Sequence, residues 1–464
     1  MCVWPQLLPE LAEKIVSLLE PNEVPSFRLV NKAAAAYFSS PAYTTIRLWQ
    51  PVPRHAFAAH WLQSGSTRLL TLKQRRQLMS LTAATGVVGN LVVSVQVAGC
   101  LLTYGVFEAA AAAGKLKSCM WLLQRGCPTV NEGTEGSGLL AAAAGGGHQH
   151  VCAWLLGLGL IWSSCGAGEA ARGGHTELVD WLLERRSQLK VREVLPETFT
   201  KVFAGAAHGC LLSTLESTRE STRQRLLKKW RELDYSAKEA TLAAAAGSPT
   251  PDWAAKVEWL EARGCLPGEG PAMKAAASSD AAARLAWLRG RGYPMGSAAV
   301  KAAAEVGNVA ALQYLLGEAG VPVGDPNSVA AQLAAKGGHL TALQALHAAG
   351  FPLGGSALEA ARGGHTHVVT WLVETLGVKA AGMDEQLFCV AAESGNMELL
   401  WWLQLRGCGM SPLAVAYAAY SGCEPAVEFV AVYSWPIAVR GGLGARLSLK
   451  LDVAILACSW LNPH

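Results

Sequence analysis

A phrase of the form Ala-Ala-x-x-Gly-His/Asn, followed shortly by Trp-Leu, returns along most of this chain. Such a chain folds by packing like units side by side, not around one central core. The phrase is clearest from Ala143 to Trp154, Ala170-Ala-Arg-Gly-Gly-His175 to Trp181-Leu182, Ala360-Ala-Arg-Gly-Gly-His365 to Trp371-Leu372, and Ala391-Ala-Glu-Ser-Gly-Asn396 to Trp402-Leu403. Weaker copies begin at Ala112, Ala245, Ala275, Ala303, Ala334 and Ala418. From Trp259 onward the anchors fall at 259, 287, 314, 345, 371, 402 and 429, spacings of 28, 27, 31, 26, 31 and 27 residues.

That period holds two short helices and a turn. Alanine on the first helix lets neighbours approach closely and loses no rotamer freedom on ordering. Glycine ends it because it enters the left-handed region without a Cβ clash, and His or Asn opens the second helix. The Leu and Trp of the second helix supply apolar area, about 1.5–3 kcal/mol for each large side chain fully buried. The row Trp121, Trp154, Trp181, Trp259, Trp287, Trp371 and Trp402 is expected to pack between units with one side exposed; an aromatic ligand surface is the alternative.

The pattern of Gly-His, apolar helix and Gly resembles the ankyrin repeat family, in a divergent, short-repeat form found in large algal and protist paralogous sets. His175 to Leu183 and Gly364 to Leu372 carry the likeness most closely. It implies an all-α, ankyrin-like helical-pair solenoid of nine to eleven units over residues 105–435, with an irregular basic segment at about 187–240. The connectors depart from the family: Arg291-Gly-Tyr-Pro-Met-Gly-Ser297 is short, and Arg125-Gly-Cys-Pro128, Arg263-Gly-Cys-Leu-Pro267 and Arg406-Gly-Cys-Gly409 repeat it. Any hairpin there is expected to be stunted.

Residues 1–45 belong to no repeat. Leu8-Pro9-Glu10-Leu11 opens a helix with Leu11, Ile15, Leu18 and Leu19 on one face, Pro21 ends it, and Val24, Phe27, Leu29 and Val30 follow. With Arg28-Leu-Val-Asn-Lys32 this arrangement resembles an F-box. The resemblance implies docking to a Skp1-type adaptor of a cullin ubiquitin ligase through Leu8, Pro9, Leu11, Ile15, Leu29 and Val30, with substrate held by the repeats. Pro25, in the family's second helix, and Ala33 to Ala36 depart from that family. The plainer alternative is a helical cap on the array. Residues 46–104, including Trp61-Leu62, read as degenerate linking or capping repeats, and residues 436–464 as a C-terminal cap or tail.

Hydrophobic types make up 51% of the 464 residues and charged types 16%, which excludes a solvating, disordered chain. A net charge of +4 gives no general reason to expect nucleic acid. Arg219, Arg223, Arg225, Lys228, Lys229 and Arg231 are expected on a solvated helix face, with a nucleic acid, an import receptor or a membrane surface as alternatives. Twelve scattered cysteines and an N-terminus without a leader pattern suit the cytoplasm or nucleus. Residues 77–107 and 136–168 carry no charge but are interrupted by polar side chains, so membrane association is a minor alternative.

No catalytic constellation emerges, and neither enzyme chemistry, a cofactor nor a metal is expected. His148, His150 and Cys152 do not share one helix face and lack a fourth ligand. His175, His339 and His365 are expected to hydrogen-bond at helix starts. Whole-chain likeness of such algal proteins to sphingomyelin phosphodiesterase-related families carries over no catalytic residue. The expected work is protein binding, on a concave face of first helices where Arg172, Lys336, Arg362 and Glu393 take matching places. A non-catalytic scaffold without a ligase link is the runner-up.

Overall fold

The computed structural model describes residues 9–134, 136–185, 195–213, 230–322, 329–379 and 381–434. Their regular structure is helical. Among them no strand forms, and one isolated parallel bridge joins Ser137 to Trp162. Leu8, the basic residues 219–229 and residues 436–464 lie outside the described set.

The chain divides into two compact units, Met1–Thr67 with Lys73–Val194, and Arg68–Leu72 with Leu195–His464. The first begins with α1 (Pro9–Leu18), α2 (Val24–Phe27, continued by a 3-10 turn over Arg28–Val30), α3 (Lys32–Tyr37) and α4 (Pro41–Thr44). Pro25 falls in the first turn of α2, where a missing N–H costs nothing, so the departure noted in the sequence is no obstacle to a helix. Phe38 is buried and meets Phe27, Tyr37 and Tyr43 edge-on. Asn22, also buried, donates to the carbonyls of Arg47, Gln50 and Pro51 and accepts from the Arg47 amide at 2.8 Å.

Next come α5 (Arg54–Trp61), α6 (Leu72–Thr85) and α7 (Val88–Ala98), with α5 packed on α7. Three helix pairs complete this unit: α8 (Tyr104–Ala112) with α9 (Leu116–Gln124), α10 (Leu139–Gly145) with α11 (Gln149–Leu156), and α12 (Ala167–Arg172) with α13 (Thr176–Arg185). First helix packs against first helix, α8 to α10 to α12. The uncharged stretches examined for membrane spans are used up in these short helices. No helix of the described residues is long and apolar enough to cross a membrane.

The second unit opens with α14 (Leu195–Gly209) and continues in seven pairs. They are α15 (Tyr235–Ala246) with α16 (Trp253–Glu261), α17 (Gly270–Ala276) with α18 (Ala281–Gly290), α19 (Ser297–Glu305) with α20 (Val309–Gln313, extended by a π-turn to Glu318), and α21 (Val329–Lys336) with α22 (Leu340–Ala348). Then follow α23 (Ser356–Arg362) with α24 (Thr366–Leu376), α25 (Glu385–Ser394) with α26 (Met397–Leu405), and α27 (Ala414–Ser421) with α28 (Glu424–Ser434). Each first helix from α14 to α27 lies against the next.

Burial explains the alanines. Ala303/Ala304, Ala334/Ala335 and Ala360/Ala361 are almost fully enclosed, on first helices that pack against one another. Gly173 and Gly174 show why the turn needs two glycines. A Cβ on Gly173 would stand 2.3 Å from the Gly145 carbonyl of the preceding pair, and Gly174 has φ +80°. The His175 amide then donates to Ala170 and the Gly174 amide to Ala171, which closes the helix end in a Schellman motif. Second helices end the same way in the Arg-Gly-Cys phrase: the Cys127 and Cys408 amides donate to Leu122 and Leu403, and both thiols are buried over their own unit.

Candidate interaction surface

Arg172, Lys336 and Arg362 close their first helices, and Glu393 lies one residue from the end of α25. The three cations are exposed and Glu393 is half-buried. Lys336, Arg362 and Glu393 thus recur at the same end of consecutive, mutually packed helices in the second unit; Arg172 holds that place in the first. Arg362 pairs with Glu359 on its own helix. Glu305, exposed at the end of α19, extends the row, so it reads acidic, basic, basic, acidic over α19, α21, α23 and α25.

Behind that row a polar side chain in several units holds carbonyls at or just past the end of the preceding first helix. The ring Nε2 of His339 donates to Glu305 O at 3.2 Å and that of His365 to Lys336 O at 3.0 Å. The Ala112 carbonyl beside the His148 ring favours its protonated form. The first two contacts correct the expectation of helix-start hydrogen bonding for His339 and His365: both occupy N-cap positions, yet neither side chain makes a cap bond to the helix it opens. Asparagine does both. Asn308 accepts from Ala311 N and donates to Ser278 O at 2.7 Å; Asn396 accepts from Leu399 N and donates to Gly364 O at 2.6 Å.

In two units that have neither, a second-helix cation takes over, which the repeat pattern did not reveal. Arg284 Nη1 donates to Ala246 O and Ser248 O, both at 2.8 Å, and its Nε pairs with Asp280. Lys256 donates to Ala207 O at 3.0 Å and Ser248 Oγ at 2.9 Å, with Asp252 3.8 Å away. A cation suits the negative end of a helix dipole. Burial pushes the Lys256 ammonium below its ordinary value, against the pull of Asp252.

The tryptophan row lies on the second helices. All seven anchors are half-buried, and the leucine after each, from Leu122 to Leu403, is buried. Five carry an arginine four residues on whose guanidinium sits over the indole: Arg125, Arg185, Arg263, Arg291 and Arg406. The i, i+4 spacing was present in the sequence and its meaning went unread.

The head carries a different surface. Leu11, Leu29 and Val30 are exposed, as is Leu18, while Ile15 is half-buried and Ala12, Val24 and Ala34 form the interior. Pro9 opens α1.

His148, His150 and Cys152 are not brought to a common point: the His150 ring bonds the Gly114 carbonyl, and the thiol is buried. Among the described residues no group of three or more His, Cys, Asp or Glu is placed to hold a metal ion. No protein-family model matches the chain, and no curated protein matches it in sequence.

Proposed function

We propose that the protein is a non-enzymatic interaction module, an ankyrin-like helical-pair solenoid behind an F-box-like head, and that it selects a substrate for a cullin-type ubiquitin ligase. The observation that carries this reading is the division of the head's apolar residues. Phe38, Val24, Ala12 and Ala34 make a small core, yet Leu11, Leu18, Leu29 and Val30 remain in water, Leu29 at 86% exposure. Large apolar side chains left in water beside a small core support a docking role for the head.

In this reading a Skp1-type adaptor covers those leucines, and the substrate lies across the ends of the first helices, where Lys336 and Arg362 are flanked by Glu305 and Glu393. The repeating alanine couples support it: they fix the spine and leave the end positions free to vary in charge, as a recognition surface requires. A partner on the array then needs acidic side chains for the two central cations.

The test is co-purification of the full chain with a Skp1-type protein, comparing wild type with Leu29→Asp and Leu11→Asp/Leu18→Asp. The reading requires association by wild type and its loss in the variants at unchanged helicity. If wild type does not associate, the head only caps the array and the protein is a scaffold without a ligase link.

A further inference from the structure

The arginines stacked on second-helix tryptophans differ in one respect. Arg291 is neutralised by Glu258, 3.2 Å away, and by Glu261, both on the preceding second helix. Arg406 is 4.0 Å from Glu374 on its preceding second helix. Arg125, 5.3 Å from the Trp121 ring centre, has no carboxylate partner among the described residues, and neither have Arg185 and Arg263; of these three it is Arg125 that lines a groove.

The preceding helix explains the difference. α16 buries Lys256, Val257 and Leu260, and α24 buries Val368, Val369 and Leu372, the same i, i+1, i+4 pattern in both. α7, which packs on α9, buries Asn90, Leu91 and Ser94 at that spacing. On this register the places of Glu258, Glu261 and Glu374 fall on Val92, Val95 and Gln96. All three line a groove of about 610 Å³ that also takes in Leu101, Trp121 and Arg125. No acidic side chain lines it. Leu101 is 76% exposed, so the apolar part of the wall is uncovered. Arg75 and Arg76 add positive charge beside Cys100, another lining residue.

We propose that this groove docks a segment of a partner protein that offers a glutamate or aspartate to Arg125 and leucine-type side chains to Val92, Val95 and Leu101. The partner carboxylate takes the part that Glu261 and Glu374 play inside the chain. The stacked guanidinium is held ready for it by Trp121, and an arginine–carboxylate bond at an apolar rim is worth more than one in open water. The volume suits a few side chains. The groove lies on α7 and α9, so the proposal does not depend on the adaptor reading of the head.

The test selects random twelve-residue peptides displayed on phage against the full chain in three forms, wild type, Arg125→Glu and Gln96→Glu. Wild type should recover peptides with an acidic residue next to leucine, isoleucine or phenylalanine, and these should slow alkylation of Cys100. Arg125→Glu should weaken them at least about tenfold and favour basic peptides instead. Gln96→Glu, which supplies the carboxylate from inside and leaves Arg125 in place, should weaken them similarly with helicity and melting unchanged. The proposal is overturned if wild type recovers no peptide, if the recovered peptides are not enriched in acidic residues, if Gln96→Glu binds them as wild type does, or if Cys100 alkylation is unaffected.

Discussion

The imidazole of His365 reaches back 3.0 Å to the carbonyl of Lys336, joining the start of one second helix to the end of the preceding first helix. Removing it leaves that carbonyl to water or without a partner. His365→Ala is expected to lower unfolding free energy by about 1–2 kcal/mol, the range for a hydrogen bond whose acceptor is stranded. His365→Asn should cost less, because an asparagine there can cap its own helix while reaching a carbonyl of the preceding turn, as Asn308 and Asn396 do. Urea unfolding of the two variants against wild type checks the order. Equal losses would show that the bond contributes little.

His148 gives the contact a pH dependence. Burial holds its ring below the ordinary value, His150, His175 and Lys115 push the same way, and only the Ala112 carbonyl pulls against them. A folded value below the unfolded one means that the unfolded chain takes up the proton first. The stabilisation is full above about pH 6.5 and is lost as pH falls through the lowered folded value. His148→Asn should therefore flatten the fall in Tm between about pH 7.5 and 5. Parallel Tm curves for variant and wild type would contradict this.

Among the described residues Lys256 is the one cation in the set of largest fully enclosed side chains, at 1% exposure. Its ammonium bonds Ala207 O and Ser248 Oγ, so Lys256→Met keeps the volume but strands the Ala207 carbonyl and leaves Asp252 without its cation, while Ser248 Oγ keeps His208 O and Thr250 as partners. A loss of about 3 kcal/mol is expected by urea unfolding. A gain or no change would mean that the apolar replacement compensates for the network.

The turn cysteines should be chemically quiet. Burial pushes the Cys127 thiol up to about 11 and that of Cys408 up to about 12, and each donates to the carbonyl at the start of its own first helix, Thr103 and Asp384. In native protein at about pH 8, iodoacetamide should modify half-exposed Cys100 well before either, as read by peptide mass spectrometry. Early labelling of Cys127 would show that the connector opens.

Much of this was legible in the residues. The alanine couples, the glycine turn and the Trp-Leu anchors announced paired helices, because small residues where helices touch and a left-handed glycine after them have few other uses. The histidines misled: an N-cap position suggests bonding to the helix that follows, and only the packing of neighbouring pairs brings the preceding carbonyl within reach. Lys256 and Arg284 could not be found by matching the phrase, since they replace its histidine from a different place on the second helix. The groove beside Arg125 was hidden for a related reason. α7 is a degenerate unit, and its missing glutamates are noticed only after its burial pattern is aligned with α16 and α24.

The central claim is that the helix pairs are equivalent units locked one to the next by the same contact, and an in-register deletion tests it most directly. Removing residues 337–362 joins Lys336 to Gly363 and brings His365 to the place of His339, within reach of the Glu305 carbonyl. Circular dichroism with thermal unfolding should show unchanged helicity per residue and one cooperative transition at a lower Tm. Loss of helicity or aggregation, as severe as after the out-of-register deletion of 337–349, would contradict the account.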